Sequence, residues 1–185
     1  MRLDCGDPAN VTVLHCDVHT GTHIDVPRHF FPGGKTVDAF QPEIFIGSAY
    51  VVHLSGRDRI AATDLENSSI PDEVSRLLLR TDNSRRWRNQ SFDENYTWLT
   101  RDAASWIAAR GIRLLGFDYL SIEKYGAEPL AHRTLMEHEV VILEGLDLNE
   151  VEAGWYELLC FPLRLVGREG APVRALLRAQ KREEP

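Results

Sequence analysis

Residues 100–118 read TRDAASWIAARGIRLLGFD, and the fold class turns on how this stretch is parsed. Thr100 has the hydroxyl of a helix N-cap, and Asp102 follows where the positive end of the helix dipole favours an acid. Gly111 stands just past the last turn as a stop. Next comes IRLLGFD (112–118), a short apolar run of the kind expected of a strand covered on both faces. Outward from this unit, strands are expected at SAYVVHL (48–54), RLLLRT (76–81), VVILEGL (140–146), YELLCFPLRLV (156–166) and PVRALLRA (172–179). A further strand is expected at VTVLHCDVH (11–19), and a second helix over 129–137, opened by Pro129. Helices interspersed with long apolar strands predict an α/β (mixed α+β) fold, a mixed sheet with helices against it rather than an all-β sandwich.

The chain has 185 residues, which suits one domain, here drawn over 1–179 with a charged tail at 180–185. Hydrophobic residues make up 43% and charged residues 26%, an ordinary globular composition. The formal net charge of −7 has the wrong sign for a protein that binds by neutralising phosphates, so nucleic acid is not an expected partner. No run approaches the length of a membrane span, and MRLDCGDPAN lacks the apolar core of a signal peptide. Cys5, Cys16 and Cys160 are too few and too irregular for a disulfide framework. A cytoplasmic protein with no membrane partner is the expectation.

Of seven histidines, four lie between positions 15 and 29. HTGTHIDVPRH (19–29) brings His19, His23, Asp25 and His29 within eleven residues, in a stretch whose Gly21 and Pro27 constrain the backbone. In extended backbone His23 and Asp25 project to the same side, and a turn through Thr20, Gly21 and Thr22 brings His19 toward them. Imidazole nitrogen and carboxylate oxygen converging from a rigid backbone suit a borderline divalent ion such as zinc, and also accept manganese. Three ligands from one loop leave room for water or for a residue from elsewhere. The distant candidates are His132, Glu137, His138, Glu139 and Glu144. Glu144 is the most anomalous acid in the chain, since it sits inside VVILEGL where an unpaired carboxylate is costly. Arg80, Thr81, Trp87 and Phe92 are weaker candidates for lining a pocket, while His15 and His53 fall within strand patterns.

HTGTHIDVPRH resembles the HxGTHxDxPxH signature of the metal-dependent cyclase family, in particular its kynurenine formamidase (arylformamidase) branch. LLLRTDNSRRW (77–87), GIRLLGFDYLSIE (111–123), AHRTLMEHEVVILEGLDLNEV (131–151) and GWYELLCFPLRLVGREGAPVRALL (154–177) are similar to the same branch. The resemblance implies a swivelling β/β/α-type fold, with a barrel-like mixed sheet and flanking helices. It implies His19 and His23 as ligands of a first metal, Asp25 as a bridging carboxylate, His132 as a ligand of a second metal and Glu144 as a second bridge. His29 corresponds to a non-ligand histidine that gives and takes a proton. The implied cofactor is a pair of zinc ions, with manganese as the other choice.

The implied activity is that of a metal-dependent amidohydrolase. It cleaves the linear formamide C–N bond of N-formylkynurenine, or a related aryl formamide, to formate and aryl amine with a metal-activated water, as in tryptophan catabolism. The resemblance also implies a homodimer or homotetramer. Two rival readings go with it: an isatin hydrolase-like enzyme acting on a lactam or ester, and a metal-binding homologue without catalysis. The second arises because family members ordinarily carry a further opening segment before the position of Cys5.

Overall fold

The computed structural model describes residues 1–89 and 91–179; the tail expected at 180–185 lies outside the described residues. The strands are β1 (His23–Asp25), β2 (Ile46–His53), β3 (Arg59–Ile60), β4 (Arg76–Arg80), β5 (Trp98–Leu99), β6 (Leu114–Phe117), β7 (Val141–Glu144), β8 (Gly154–Leu159), β9 (Gly170–Pro172) and β10 (Leu176–Ala179). The α-helices are α1 (Ala62–Glu66), α2 (Arg101–Ala109) and α3 (Leu130–Glu137). Eight strands form one mixed sheet in the order β10-β8-β2-β4-β6-β7-β1-β9, so the expected α/β class with a mixed sheet and flanking helices is what the chain adopts.

The centre of that sheet, β2-β4-β6-β7, is parallel. Parallel neighbours need crossovers, and the crossovers carry α1, α2 and α3 in turn. The apolar runs explain the layering. Leu77, Leu79, Leu115, Phe117 and Ile142 face a core shared with Ala103, Ala104 and Ile107 of α2 and Ala131 and Leu135 of α3. Leu78, Leu114, Val141 and Leu143 alternate onto the other face, against Val26, Val37, Phe45, Leu146 and Leu158. Each fully buried leucine here contributes about 2 kcal/mol. Thr100 caps α2 as expected, its hydroxyl accepting from the Ala103 amide at 3.4 Å, and Gly111 takes the left-handed φ of 70° that ends it.

Three expectations are corrected. VTVLHCDVH (11–19) forms no strand: Val13 and Leu14 are 71% and 82% exposed and no neighbouring strand offers them a ladder. Alternation is not enough without a partner, and the strand that does form begins four residues later, at His23. The run 156–166 leaves the sheet after Leu159, before Phe161 and Pro162, because proline cannot donate to the ladder. The run 172–179 is split: β9 flanks β1, while β10 pairs with β8 at the opposite edge.

Beyond β4 the chain is anchored by one buried acid. Asp118 accepts from the Thr81 amide (2.7 Å) and hydroxyl (2.8 Å) and from the Ser84 amide (3.1 Å) and hydroxyl (2.8 Å). The Ser84 hydroxyl oxygen in turn accepts from the Leu148 amide. Burial pushes the Asp118 carboxyl above its ordinary value against the pull of these four donors. Asp118→Ala leaves buried donors without an acceptor, so a loss of about 3 kcal/mol or more is expected in urea unfolding. Asp118→Asn, which keeps one acceptor oxygen, loses less.

Candidate metal centre

The three residues of β1 are laid between β7 and β9, both antiparallel to it. The register sets His23 opposite Glu144 and Asp25 opposite Ile142. Directly opposed residues share a face, and so do residues two apart on a strand. His23, Asp25 and Glu144 therefore come to one side while Ile24 is buried in the core on the other. That side faces α3, which presents His132. All four are buried, at 2–4% exposure, whereas His19 reaches the group from the turn ahead of β1 and is partly exposed.

Two groups of metal-ligand type result, each with its donor atoms within 4.8 Å of one another: His19, His23 and Asp25, and Asp25, His132 and Glu144. Asp25 belongs to both. Its Oδ1 is 2.6 Å from His19 Nδ1 and 3.4 Å from His23 Nε2, and its Oδ2 is 4.0 Å from His132 Nε2. Glu144 lies 3.2 Å from His132 Nε2 and 3.6 Å from His23 Nε2, and it accepts from the Ile122 amide at 2.7 Å.

Surrounding atoms aim the rings. His23 Nδ1 donates to the Gly21 carbonyl (2.9 Å), which turns Nε2 inward. The Gly21–Thr22 backbone is itself seated on Gly145, whose φ is +74°; a Cβ there would come within 2.4 Å of the Gly21 carbonyl oxygen. Gly170 makes a similar close approach, since a Cβ would lie 2.8 Å from the Ile24 carbonyl oxygen and 3.0 Å from His19 Cε1.

The electrostatics show what the group lacks. Burial works against the charged form of Asp25, yet its carboxyl is held below its ordinary value by its hydrogen bond to His19 and the positive charge of His23. Burial likewise opposes the charge on His19, but the hydrogen bond to Asp25 raises it. For His132, burial is outweighed by hydrogen bonds to Glu123 and Glu144, and its pKa is pushed up to about 10. Two buried carboxylates thus draw protons onto imidazoles, the signature of a site short of positive charge. His19 Nε2 is buried with no hydrogen-bond partner. Three imidazoles, two carboxylates and an orphaned ring nitrogen fit a divalent cation.

His29 is exposed and follows Pro27 in a short 3-10 turn. Its ring lies 4.2 Å from that of His19, and desolvation of the ring on that inner side, together with the nearby His19 and His132, lowers its pKa, outweighing Asp25 and Glu144. It lines, with both groups, a cavity of about 450 Å³ walled by Phe30, Tyr96 and Tyr125.

Other candidates lie elsewhere. Glu137, His138 and Glu139 are exposed, with Glu139 paired to Lys35. His15 is exposed, and His53 Nε2 is bound to the Val151 carbonyl. Arg80 donates to the Val151 and Asn149 carbonyls, and Thr81 serves Asp118. Trp87 donates to the Leu146 carbonyl, and Phe92 packs on Tyr119 and Tyr125 behind the wall. Sequence reasoning missed Glu123, whose Oε2 lies 3.1 Å from His132 Nδ1. One signal was there: α3 starts at Pro129 without a side-chain cap, so its first amides need an acceptor from outside the helix.

Comparison with known proteins gives the chain its family. The Cyclase family profile, described as "Putative cyclase", matches residues 4–124. Cyclase-like protein 3 of Arabidopsis thaliana is 36% identical over 180 residues, 93% of this chain; the match spans only 66% of that relative's length. Kynurenine formamidase of Bacillus cereus is 39% identical over 170 residues, 91% of this chain and 80% of the relative. A solved structure described as a potential metal-dependent hydrolase with cyclase activity superposes with a TM-score of 0.81 at 36% identity, covering 88% of this chain and 80% of the other. Among the described residues no helix is long and apolar enough to cross a membrane. By profile, by extended identity and by fold, the chain belongs to the cyclase family.

Proposed function

We propose that the chain is a metal-dependent amidohydrolase that cleaves the formamide bond of N-formylkynurenine or a related aryl formamide. One observation carries the reading: two ligand groups sharing Asp25 form the floor of a cavity with aromatic walls. The 39% identity to a kynurenine formamidase supports the choice of substrate. His19, His23 and Asp25 would hold one cation, and Asp25, His132 and Glu144 a second, with zinc the first choice and manganese the next. When bound, such cations supply Lewis acidity, which polarises a carbonyl and acidifies water.

The residues of the chain do the rest. Phe30, Tyr96 and Tyr125 offer faces and edges for an aryl ring. The buried carboxylates of Asp25 and Glu144 are fixed by His19 and by the Ile122 amide, so they need no reorganisation as charge develops. Water adds to the formyl carbon and the C–N bond breaks. At neutral pH the lowered pKa leaves the His29 ring uncharged, so a ring nitrogen takes a proton from the water as it adds and passes that proton to the leaving nitrogen as the C–N bond breaks. The products are formate and an aryl amine.

His29→Ala is expected to keep the cation content of the parent while lowering turnover by roughly a hundredfold to ten-thousandfold. Metal analysis beside steady-state kinetics reads both quantities, and loss of the cations in this variant would reassign His29 as a ligand. N-formylkynurenine and isatin, compared at equal enzyme, test the substrate class. Faster opening of the isatin lactam would overturn the formamide assignment in favour of a cyclic amide, and binding of cations without turnover of either would point to a non-catalytic homologue.

A further inference from the structure

We propose that Glu123 is a positioning residue that fixes the tautomer of His132 and so sets the cation affinity of the Asp25–His132–Glu144 group; the assignment rests on the two-group reading above. Glu123 Oε2 accepts from three donors: the amides of Ala131 (3.1 Å) and His132 (3.3 Å), and His132 Nδ1 (3.1 Å). A carboxylate oxygen at that distance requires the proton of His132 on Nδ1. Nε2 is then the nitrogen turned toward Glu144 and Asp25, and the one whose lone pair a cation would take in place of a proton.

Glu123 does not drift, because its own backbone is held on both sides. Its carbonyl accepts from the Tyr96 hydroxyl at 2.5 Å and its amide donates to Ser121 Oγ at 3.1 Å. The amide of the preceding residue, Ile122, holds Glu144 at 2.7 Å. One three-residue segment, 121–123, thereby sets the two partners of Asp25 in the second group. The other group is oriented independently, since His23 is turned by the Gly21 carbonyl and His19 by Asp25 itself. Loss of the Glu123 charge is therefore felt by one group and spared by the other.

Glu123→Gln isolates that charge. The amide oxygen still accepts from the Ala131 and His132 amides, so α3 keeps its start, while the anionic acceptor for Nδ1–H is gone. The measurement is titration of the metal-free full chain with Zn²⁺ against a chromophoric chelator, repeated with Co²⁺ and read by its visible absorption. Thermal unfolding of the metal-free variant is the control. In the parent, two ions are expected to bind. In Glu123→Gln the affinity for the second ion is expected to fall by roughly tenfold to a hundredfold, with the first unchanged, and Glu123→Asp is expected to recover part of the loss.

Two ions in the parent with the same two affinities in Glu123→Gln would overturn the role of Glu123 alone. A loss shared equally by both ions, with no recovery in Glu123→Asp, would overturn it too and make the residue a general support of the fold. A parent that holds no second ion removes the two-group reading, and this assignment with it.

Discussion

Asp25→Ala is expected to empty both ligand groups together and to lower turnover of the proposed substrate, N-formylkynurenine, by more than about a thousandfold. The reason is positional. Asp25 is the one residue common to the two groups, with one oxygen directed at His19 and His23 and the other at His132. Loss of any other member leaves one group intact, whereas loss of Asp25 leaves three buried or half-buried imidazoles with a single carboxylate, Glu144, on the far side. Metal content per chain after gel filtration is the direct readout, with circular dichroism to show that the sheet persists. Asp25→Asn sharpens the experiment by keeping shape and removing charge. Retention of two ions by the asparagine variant would show that a neutral oxygen suffices and that the charge deficit inferred for the site is wrong.

Gly145→Ala is expected to be the most damaging substitution of a residue that offers no side chain to the site. Its φ of +74° disfavours any L side chain, and the added methyl meets backbone 2.4 Å away at the Gly21 carbonyl, with no flexible side chain to swing aside. A loss of about 2–4 kcal/mol follows, which lowers Tm by about 2–4 °C for each kcal/mol in a chain of this size. The damage reaches the site because the displaced carbonyl is the one that aims His23, so cation affinity falls in the fraction that remains folded. Calorimetry and metal titration on the same sample separate the two effects. An unchanged Tm with unchanged affinity would mean that the Gly21–Thr22 turn gives way freely.

Much of the centre was legible because its chemistry is concentrated in one short stretch. His19, His23 and Asp25 stand out by spacing, and Glu144 by its position in an apolar strand. The central strands were legible for the same reason as the layers: runs such as LLL at 77–79 have no polar residue to lose to solvent on either face. Tyr96 was not legible, because its role depends on where two loops meet, and for Glu123 the uncapped start of α3 asked for an acceptor without saying which residue supplies it. The segment 11–19 was misread because alternation describes a strand's faces, while a strand's existence depends on a neighbour with free amides and carbonyls. The same dependence explains why β9 and β10, adjacent in sequence, ended on opposite edges of the sheet.

The placement of β1 also has a consequence in time. Its three residues lie near the start of the chain, and their ladder partners, Ile142–Glu144 and Gly170–Pro172, lie close to its end. During synthesis this part of the centre emerges before both of its ladder partners and waits, unpaired, until they have been made. Contacts that close such long loops form late and slowly. A chain that stops before Gly170 therefore carries the histidines of the signature and lacks the ladder that brings them together as a site.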